Sequence, residues 1–266
     1  MSLPAARRIS SRQNALVTRF RHAARSGGGG EVLIEGATLL HEAADAGWRP
    51  TVVAFLEETL ASPEGAELAR AIAGHAELIV VSPRVMDAIS PAAAPSGVVA
   101  LASARVREID DAFLPPPAMT VVAIGLQDRG NVGAVVRAAE AAGATGVVVC
   151  GQSAHPFGWK ALRGAMGSAF RLPVVPATLD ETLGAARGRG VRVVALALGG
   201  APMEQIDLTA PTALLVGSEG SGLPRALLDG ADAVLTIPMR EPVASLNVAV
   251  AAAVALYEGR RQRQSR

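Results

Sequence analysis

The chain has 266 residues and a formal net charge of +1, and half of its residues are hydrophobic. That leaves room for one large domain or two modest ones, each with a buried core, and gives no net-charge argument for nucleic acid. A single cysteine, Cys150, excludes a disulfide framework and a cysteine-rich metal site.

Residues 1 to 30 carry six arginines, Arg7, Arg8, Arg12, Arg19, Arg21 and Arg25, and no acid. Ile9, Leu16, Phe20 and Ala23 fall on one face at helical spacing, so a helix is expected over Ile9–Arg25, flanked by these arginines. The run Ser26–Gly30 (SGGGG) ends it as a turn. No apolar stretch follows Arg7 and Arg8, so a secretory signal is not expected.

Alternation then sets in. Strands are expected at Glu31–Glu35, Thr51–Leu56, Leu78–Val81 and Gly97–Leu101. Helices are expected at Ala37–Ala46, Pro63–Gly74 and near Arg84–Ile89. This is a small α/β/α domain. Asp110–Met119 (DDAFLPPPAM) interrupts it: three consecutive prolines continue neither a helix nor a central strand. The expected domains are therefore 1–109 and 120–266, with 110–119 as a semi-rigid linker.

After the linker, strands are expected at Thr120–Gly125, Gly146–Cys150, Val174–Val175, Val191–Leu196, Thr212–Gly217 and Ala233–Ile237. A helix is expected over Val132–Ala142 and another from about Leu246 to Glu258, with short helices between. The pattern predicts a parallel sheet covered on both faces. The longest apolar run, Val248–Tyr257, is too short to span a bilayer.

Four stretches could carry chemistry. In Gly125–Val149 a strand ends in a polar turn, and ligands of open α/β sheets bind beyond such carboxyl ends. There Asn131 either caps the helix or faces a ligand, and Arg137 either takes a partner or lies on a solvated stripe with Glu140. Thr212–Pro224 (TALLVGSEGSGLP) runs a strand into Gly217, Gly220 and Gly222, which allow close backbone approach. It lacks the Lys-Ser/Thr of a P-loop, its glycine order is not that of a dinucleotide fingerprint, and Glu219 would repel phosphate. A neutral or cationic small molecule fits better, beside the plainer reading of a glycine-rich turn. Ser245 and Asn247 stand where the last helix must start, as caps or as site residues. Lys160 and Arg163 share a helical face and either hold a phosphate or are solvated. The four histidines have no metal-ligand spacing.

Three separated stretches, DRGNVGAVVRAAEAAG, LLVGSEGSGLP and IPMREPVASLNVAVAAAVALYE, resemble in order and spacing the signatures of the SpoU-type, TrmH-like RNA ribose 2′-O-methyltransferases of the SPOUT superfamily. KALRGAMGSAFRLPVV resembles the segment between the first two. EVLIEGATLLHEAADAG and SPAAAPSGVVALA resemble the family's N-terminal substrate-binding domain. Arg129 and the pair Glu241-Pro242 depart from the usual motifs.

The resemblance implies a trefoil knot, an active site at a homodimer interface, and S-adenosylmethionine in the knot loops. It implies a cofactor site bordered by Leu196, Gly217, Ser218, Glu219, Gly220, Ile237, Met239, Ser245, Leu246 and Asn247. It carries catalytic roles onto Asn131, Arg137, Glu219 and Ser245. The expected activity is methylation of a ribose 2′-hydroxyl, in ribosomal RNA ahead of transfer RNA, with no metal and no membrane, in the cytoplasm. Arg8, Arg12, Arg19, Arg129, Lys160 and Arg163 are the expected RNA contacts. The alternative is an RNA-binding or ribosome-associated module of the same fold without turnover.

Overall fold

The computed structural model describes residues 6–27, 30–105 and 107–265. The strands are β1 (Arg7–Ile9), β2 (Glu31–Glu35), β3 (Pro50–Leu56), β4 (Glu77–Val81), β5 (Val98–Ser103), β6 (Met119–Ile124), β7 (Gly146–Cys150), β8 (Val174–Pro176), β9 (Arg192–Pro202), β10 (Thr212–Val216) and β11 (Ala233–Thr236). The helices are α1 (Ala15–Ser26), α2 (Ala37–Asp45), α3 (Glu57–Ala61), α4 (Pro63–Ile72), α5 (Pro83–Ile89), α6 (Arg129–Ala142), α7 (Trp159–Ala165), α8 (Ser168–Arg171), α9 (Leu179–Gly188), α10 (Arg225–Asp229) and α11 (Val248–Gln264). Two compact units emerge: one holds the residues up to Arg105 together with Phe157–Phe170, the other the rest.

The first unit is built on a mixed sheet in the order β1-β4-β3-β5-β2, with β1, β4 and β3 parallel and β5 antiparallel to both its neighbours. Ile9 does not begin a helix; Arg7–Ile9 pairs with Ile79–Val81 as an edge strand. The helix starts only after Asn14, whose side chain accepts the Leu16 N–H at 3.0 Å. Backbone pairing outweighs the helical spacing of the apolar residues, and Ile9, Phe20 and Ala23 still reach one core. Of the expected turn at Ser26–Gly30, Gly28 and Gly29 lie outside the described residues.

Phe157–Phe170 joins this unit through aromatic packing. Trp48 stacks at 5.8 Å from Phe157 and 5.1 Å from Phe170, and its indole N–H donates to the Phe170 carbonyl at 3.1 Å. A buried indole whose N–H finds an acceptor is a favourable anchor.

The second unit is a parallel sheet ordered β11-β9-β10-β6-β7-β8. Successive strands move outward from β6 through β7 to β8, and the chain then returns to build β9, β10 and β11 on the other side. The order therefore reverses between β6 and β10, the kind of position where α/β folds bind ligands. Val122, Val148, Ala213 and Leu215 form one buried face with Ala186 of α9. Helix α6 packs on β6 and β7 and against α11. Ile109–Phe113 of the proline-rich region forms a 3-10 helix, and Ala112 and Phe113 enter this core.

Strand β9 is longer than its sequence indicated. Val234 pairs with Ala195, but the next residue, Leu235, pairs with Ala201. The chain between, Leu196–Gly200, is looped out of the ladder, and pairing resumes after it. Gly200 lies so close to the Val234 carbonyl that a Cβ would collide with backbone.

The far end of α11 is held by Arg263. Its guanidinium donates to the carbonyls of Leu208, Pro117, Ala118 and Ala210, at 2.9–3.0 Å. Burial pulls its pKa below the ordinary arginine value, with Asp207 opposing the shift. Replacing Arg263 by Met is expected to cost about 1–3 kcal/mol in urea unfolding, because the carbonyls lose a charged donor. An unchanged midpoint would exclude the clamp.

Candidate active site

Three loops meet at the carboxyl ends of the second unit's strands. The first follows β6. Gly125 takes the left-handed conformation, φ 71°, to turn the chain out of the sheet. Asp128, not Asn131, caps α6: its Oδ1 accepts the Asn131 N–H at 2.8 Å. The cap lies one turn earlier than expected, which frees the Asn131 side chain for other contacts.

The second loop follows β10. Ser218 and Gly222 form an isolated bridge, and the Ser218 and Ser221 hydroxyls lie 2.8 Å apart. A Cβ on Gly217 would strike the Gly222 carbonyl group and stand 2.7 Å from the Leu223 nitrogen. This glycine is therefore required by the loop's own closure.

The third loop leads into α11. Asn247, not Ser245, is its N-cap: Oδ1 accepts from Ala249 N–H at 3.0 Å and from Val250 N–H at 3.4 Å. Asn wins because its amide also has a donor to use. Nδ2 donates to Asn131 Oδ1 at 3.0 Å and to Glu219 Oε1 at 2.5 Å. Glu219 Oε1 further accepts the Val248 N–H at 3.3 Å. One side chain thus ties the three loops together.

Two cavities flank the Gly217–Gly222 loop. The first, about 420 Å³, is lined by Leu196, Gly217, Ser218, Glu219, Gly220, Ile237, Met239, Ser245 and Leu246 of the expected cofactor set. Asn247 is beside it through Glu219. Its apolar walls and polar rim suit a flat heterocycle with a polar chain, within the usual size for small-molecule sites. Ala197, Leu198, Leu228, Val248 and Ala251 also line it and were not anticipated. Ala197 and Leu198 enter through the looped-out segment of β9, which leaves no trace in strand periodicity. The second cavity, about 480 Å³, contains Asn131 and Glu219 and adds Gln127, Asp128 and Gln152.

Arg137 lines neither cavity. It is exposed on α6 and has no ion-pair partner among the described residues. Glu140, its expected neighbour on the stripe, pairs with Arg171 at 2.7 Å.

The expected RNA contacts divide. Arg8 is bonded to Glu57 and Arg19 to Glu31, each by two hydrogen bonds. Those bonds hold both carboxyls below the usual carboxylate range. Arg12, Arg129, Lys160 and Arg163 are exposed, with Lys160 set 5.5 Å from the Trp159 ring. Cys150 is a core residue 3.2 Å from the Thr182 hydroxyl, and burial raises its thiol pKa. Among the described residues no group of His, Cys, Asp or Glu could hold a metal, and no helix is long and apolar enough to cross a membrane.

The SpoU rRNA Methylase family model matches residues 118–257, and a model of the MRM3-like substrate binding domain matches residues 21–100. The 23S rRNA (uridine(2479)-2′-O)-methyltransferase of Streptomyces viridochromogenes is 32% identical over 98% of this chain and 94% of its own length. The 23S rRNA (guanosine(2553)-2′-O)-methyltransferase RlmP of Bacillus subtilis is 43% identical over 50% of this chain, and the match covers 54% of that protein, about half its length. The crystal structure of the SpoU methyltransferase AviRb from Streptomyces viridochromogenes, in complex with the cofactor AdoMet, superposes with a TM-score of 0.86. It is 29% identical and covers 95% of this chain and 99% of that one.

Asn247→Ala is expected to lower stability by about 1–2 kcal/mol through loss of the cap. Combined with Asn131→Ala in a double-mutant cycle, it should show a coupling of about 0.5–1.5 kcal/mol in chemical unfolding. Strict additivity would mean that the Asn131–Asn247 contact contributes nothing.

Proposed function

Because the chain belongs to the SpoU rRNA Methylase family, we propose that it transfers a methyl group from S-adenosylmethionine to a ribose 2′-hydroxyl of ribosomal RNA. The observation that carries this reading is the hydrogen-bonded meeting of Asn131, Glu219 and Asn247 beside two cavities: Glu219 lines both, and Asn131 lines the second. One cavity is apolar enough for an adenosine, and the other opens beside it for the acceptor.

When bound, the cofactor supplies a sulfonium methyl that is already activated. The protein's task is then to hold the ribose oxygen in line with the methyl carbon and to manage the hydroxyl proton. Leu196, Ile237 and Leu246, with the backbone of Gly217–Gly220, line the first cavity and would hold the cofactor's apolar moiety. Glu219 is oriented by Asn247 and the Val248 N–H. Asn131 lines the acceptor-side cavity, and Ser245 adds a hydroxyl to the wall of the other. The cofactor would supply the methyl to the ribose oxygen as its methyl–sulfur bond breaks, and the hydroxyl proton would pass to phosphate or water.

Arg137 serves as an electrostatic clamp on the developing alkoxide or its neighbouring phosphate, since a guanidinium stays protonated and is a poor base. Its absence from both cavities of its own chain supports delivery from a second copy, in a homodimer. The apolar surface for such a contact includes Val250 and Tyr257 of α11, 48% and 51% exposed, seven residues apart and so on one helical face. Leu198 and Val243 add to the exposed apolar surface. The C-terminal end of the second unit would form a trefoil knot, a rare topology that the family resemblance implies. The first unit is read as the RNA-binding part. Of the expected contacts, Arg12, Lys160 and Arg163 are open cations on it, Arg129 is one on the second unit, and Arg8 and Arg19 can engage phosphate only by exchanging their carboxylates. A ribosomal substrate fits a cytoplasmic location.

Labelled methyl transfer from S-adenosylmethionine to ribosomal RNA tests the reading. The wild type should transfer label and Asn131→Ala should not. No label in any RNA would instead support a binding module without turnover. Arg137→Lys should lower kcat on the order of a hundredfold at unchanged cofactor affinity; near-normal turnover would exclude a specific guanidinium role. Tyr257→Glu should shift the protein to monomer in sedimentation and remove activity, whereas an active monomer would rule out the shared site.

A further inference from the structure

The cavity of about 480 Å³ on the acceptor side contains two side chains that the reaction has not used, Gln127 and Gln152. Both are exposed, and among the described residues neither amide makes a hydrogen bond. They sit on different loops, after β6 and β7, which are adjacent strands with Ile124 level with Cys150.

The two loops are laced by their own backbone. Leu126 N–H donates to Ser153 Oγ at 3.0 Å, and Ala154 N–H donates to the Leu126 carbonyl at 2.7 Å. Ser153 Oγ donates in turn to the Cys150 carbonyl at 2.6 Å, and Gly125 N–H reaches the same carbonyl at 3.3 Å. The backbone that carries the two glutamines is therefore fixed, while their amides remain unbonded. Preorganised loops with unspent donors and acceptors suit recognition better than stability.

The charge of the cavity narrows the ligand. Among the described residues its charged lining groups are Asp128 and Glu219, both acidic, with no lysine or arginine. A phosphate there would meet two carboxylates and no cation. A neutral heterocycle with N–H groups would meet carboxylate and amide acceptors, with the amide N–H groups left for its ring nitrogens or carbonyls. Each carboxylate is already anchored through one oxygen: Asp128 by the Asn131 N–H, Glu219 by Asn247 and Val248.

We propose that Gln127 and Gln152 read the base of the nucleotide whose ribose is methylated, pairing with a neutral nucleobase edge that offers N–H donors. The inference rests on the ribose methyltransferase reading above. A ribose held at the rim, near Asn131, directs its base into this cavity, and an unpaired base can be hydrogen-bonded on its exposed edges. The two glutamines set which base is accepted; they do not touch the cofactor-side cavity.

The test uses the full chain and ribosomal RNA. The methylated nucleotide is first mapped with the wild type, and transcripts spanning it are then made with each of the four bases at that position. The wild type should favour one base in kcat/KM. Gln127→Leu with Gln152→Leu should reduce that preference roughly tenfold or more, the scale of one lost base contact. Affinity for S-adenosylmethionine, measured by calorimetry, should be unchanged, and Gln152→Glu, which keeps an acceptor, should retain part of the preference. Equal use of the four transcripts by the wild type, or full preference in the double variant, overturns the base-reading pair. So does a double variant that loses cofactor affinity, which would assign these residues to the fold. No transfer by the wild type to any RNA sinks the methyltransferase reading itself, and the pair with it.

Discussion

The site depends on what one amide does at the start of α11. Asn247 uses its oxygen to cap that helix and its nitrogen to hold Glu219 and Asn131. A helix start leaves N–H groups that need acceptors, and a loop carboxylate needs donors. Asparagine answers both needs because it has both kinds of group. The helix boundary and the site geometry are therefore one constraint: a residue that capped equally well without a donor, such as aspartate, would put a second carboxylate against Glu219.

The sheet explains why these residues can meet at all. Asn131 and Asn247 are far apart in sequence, but β6 and β10 are neighbours at the point where strand order reverses. All the strands run parallel, so the loops that follow them emerge at the same end. Gly217 lets the β10 loop fold back tightly, and Glu219 comes to stand between the two cavities. A parallel sheet whose order reverses next to β6 thus supplies both the place and the separation into two compartments.

Much of this was legible in the sequence, and the exceptions have physical reasons. Strands such as Gly146–Cys150 and helices such as that ending at Ala142 are visible because apolar runs and glycine stops are local signals. The residues that motif resemblance expects around a cofactor line one cavity together, except Asn247, which lies beside it. The N-terminal region misled because Ile9 is buried by pairing with a distant strand, which helical spacing cannot reveal. Asp128 rather than Asn131 caps α6, and of the two cap candidates Ser245 and Asn247 the second caps α11, since adjacent polar residues compete and tertiary partners decide. Gln127 and Gln152 carry no signature, because an exposed glutamine looks the same whether it borders a cavity or open water.

The looped-out segment Leu196–Gly200 gives the fold a degree of freedom. Strand register with β11 resumes at Ala201 whatever the intervening chain does. Leu196, Ala197 and Leu198 can be exchanged there without moving the ladder, and they form part of a cavity wall, whereas Gly200 has no room for a side chain beside the Val234 carbonyl. The depth of that cavity can thus drift or be engineered independently of the sheet, which makes this segment the natural place for a ligand preference to change while the architecture stays constant.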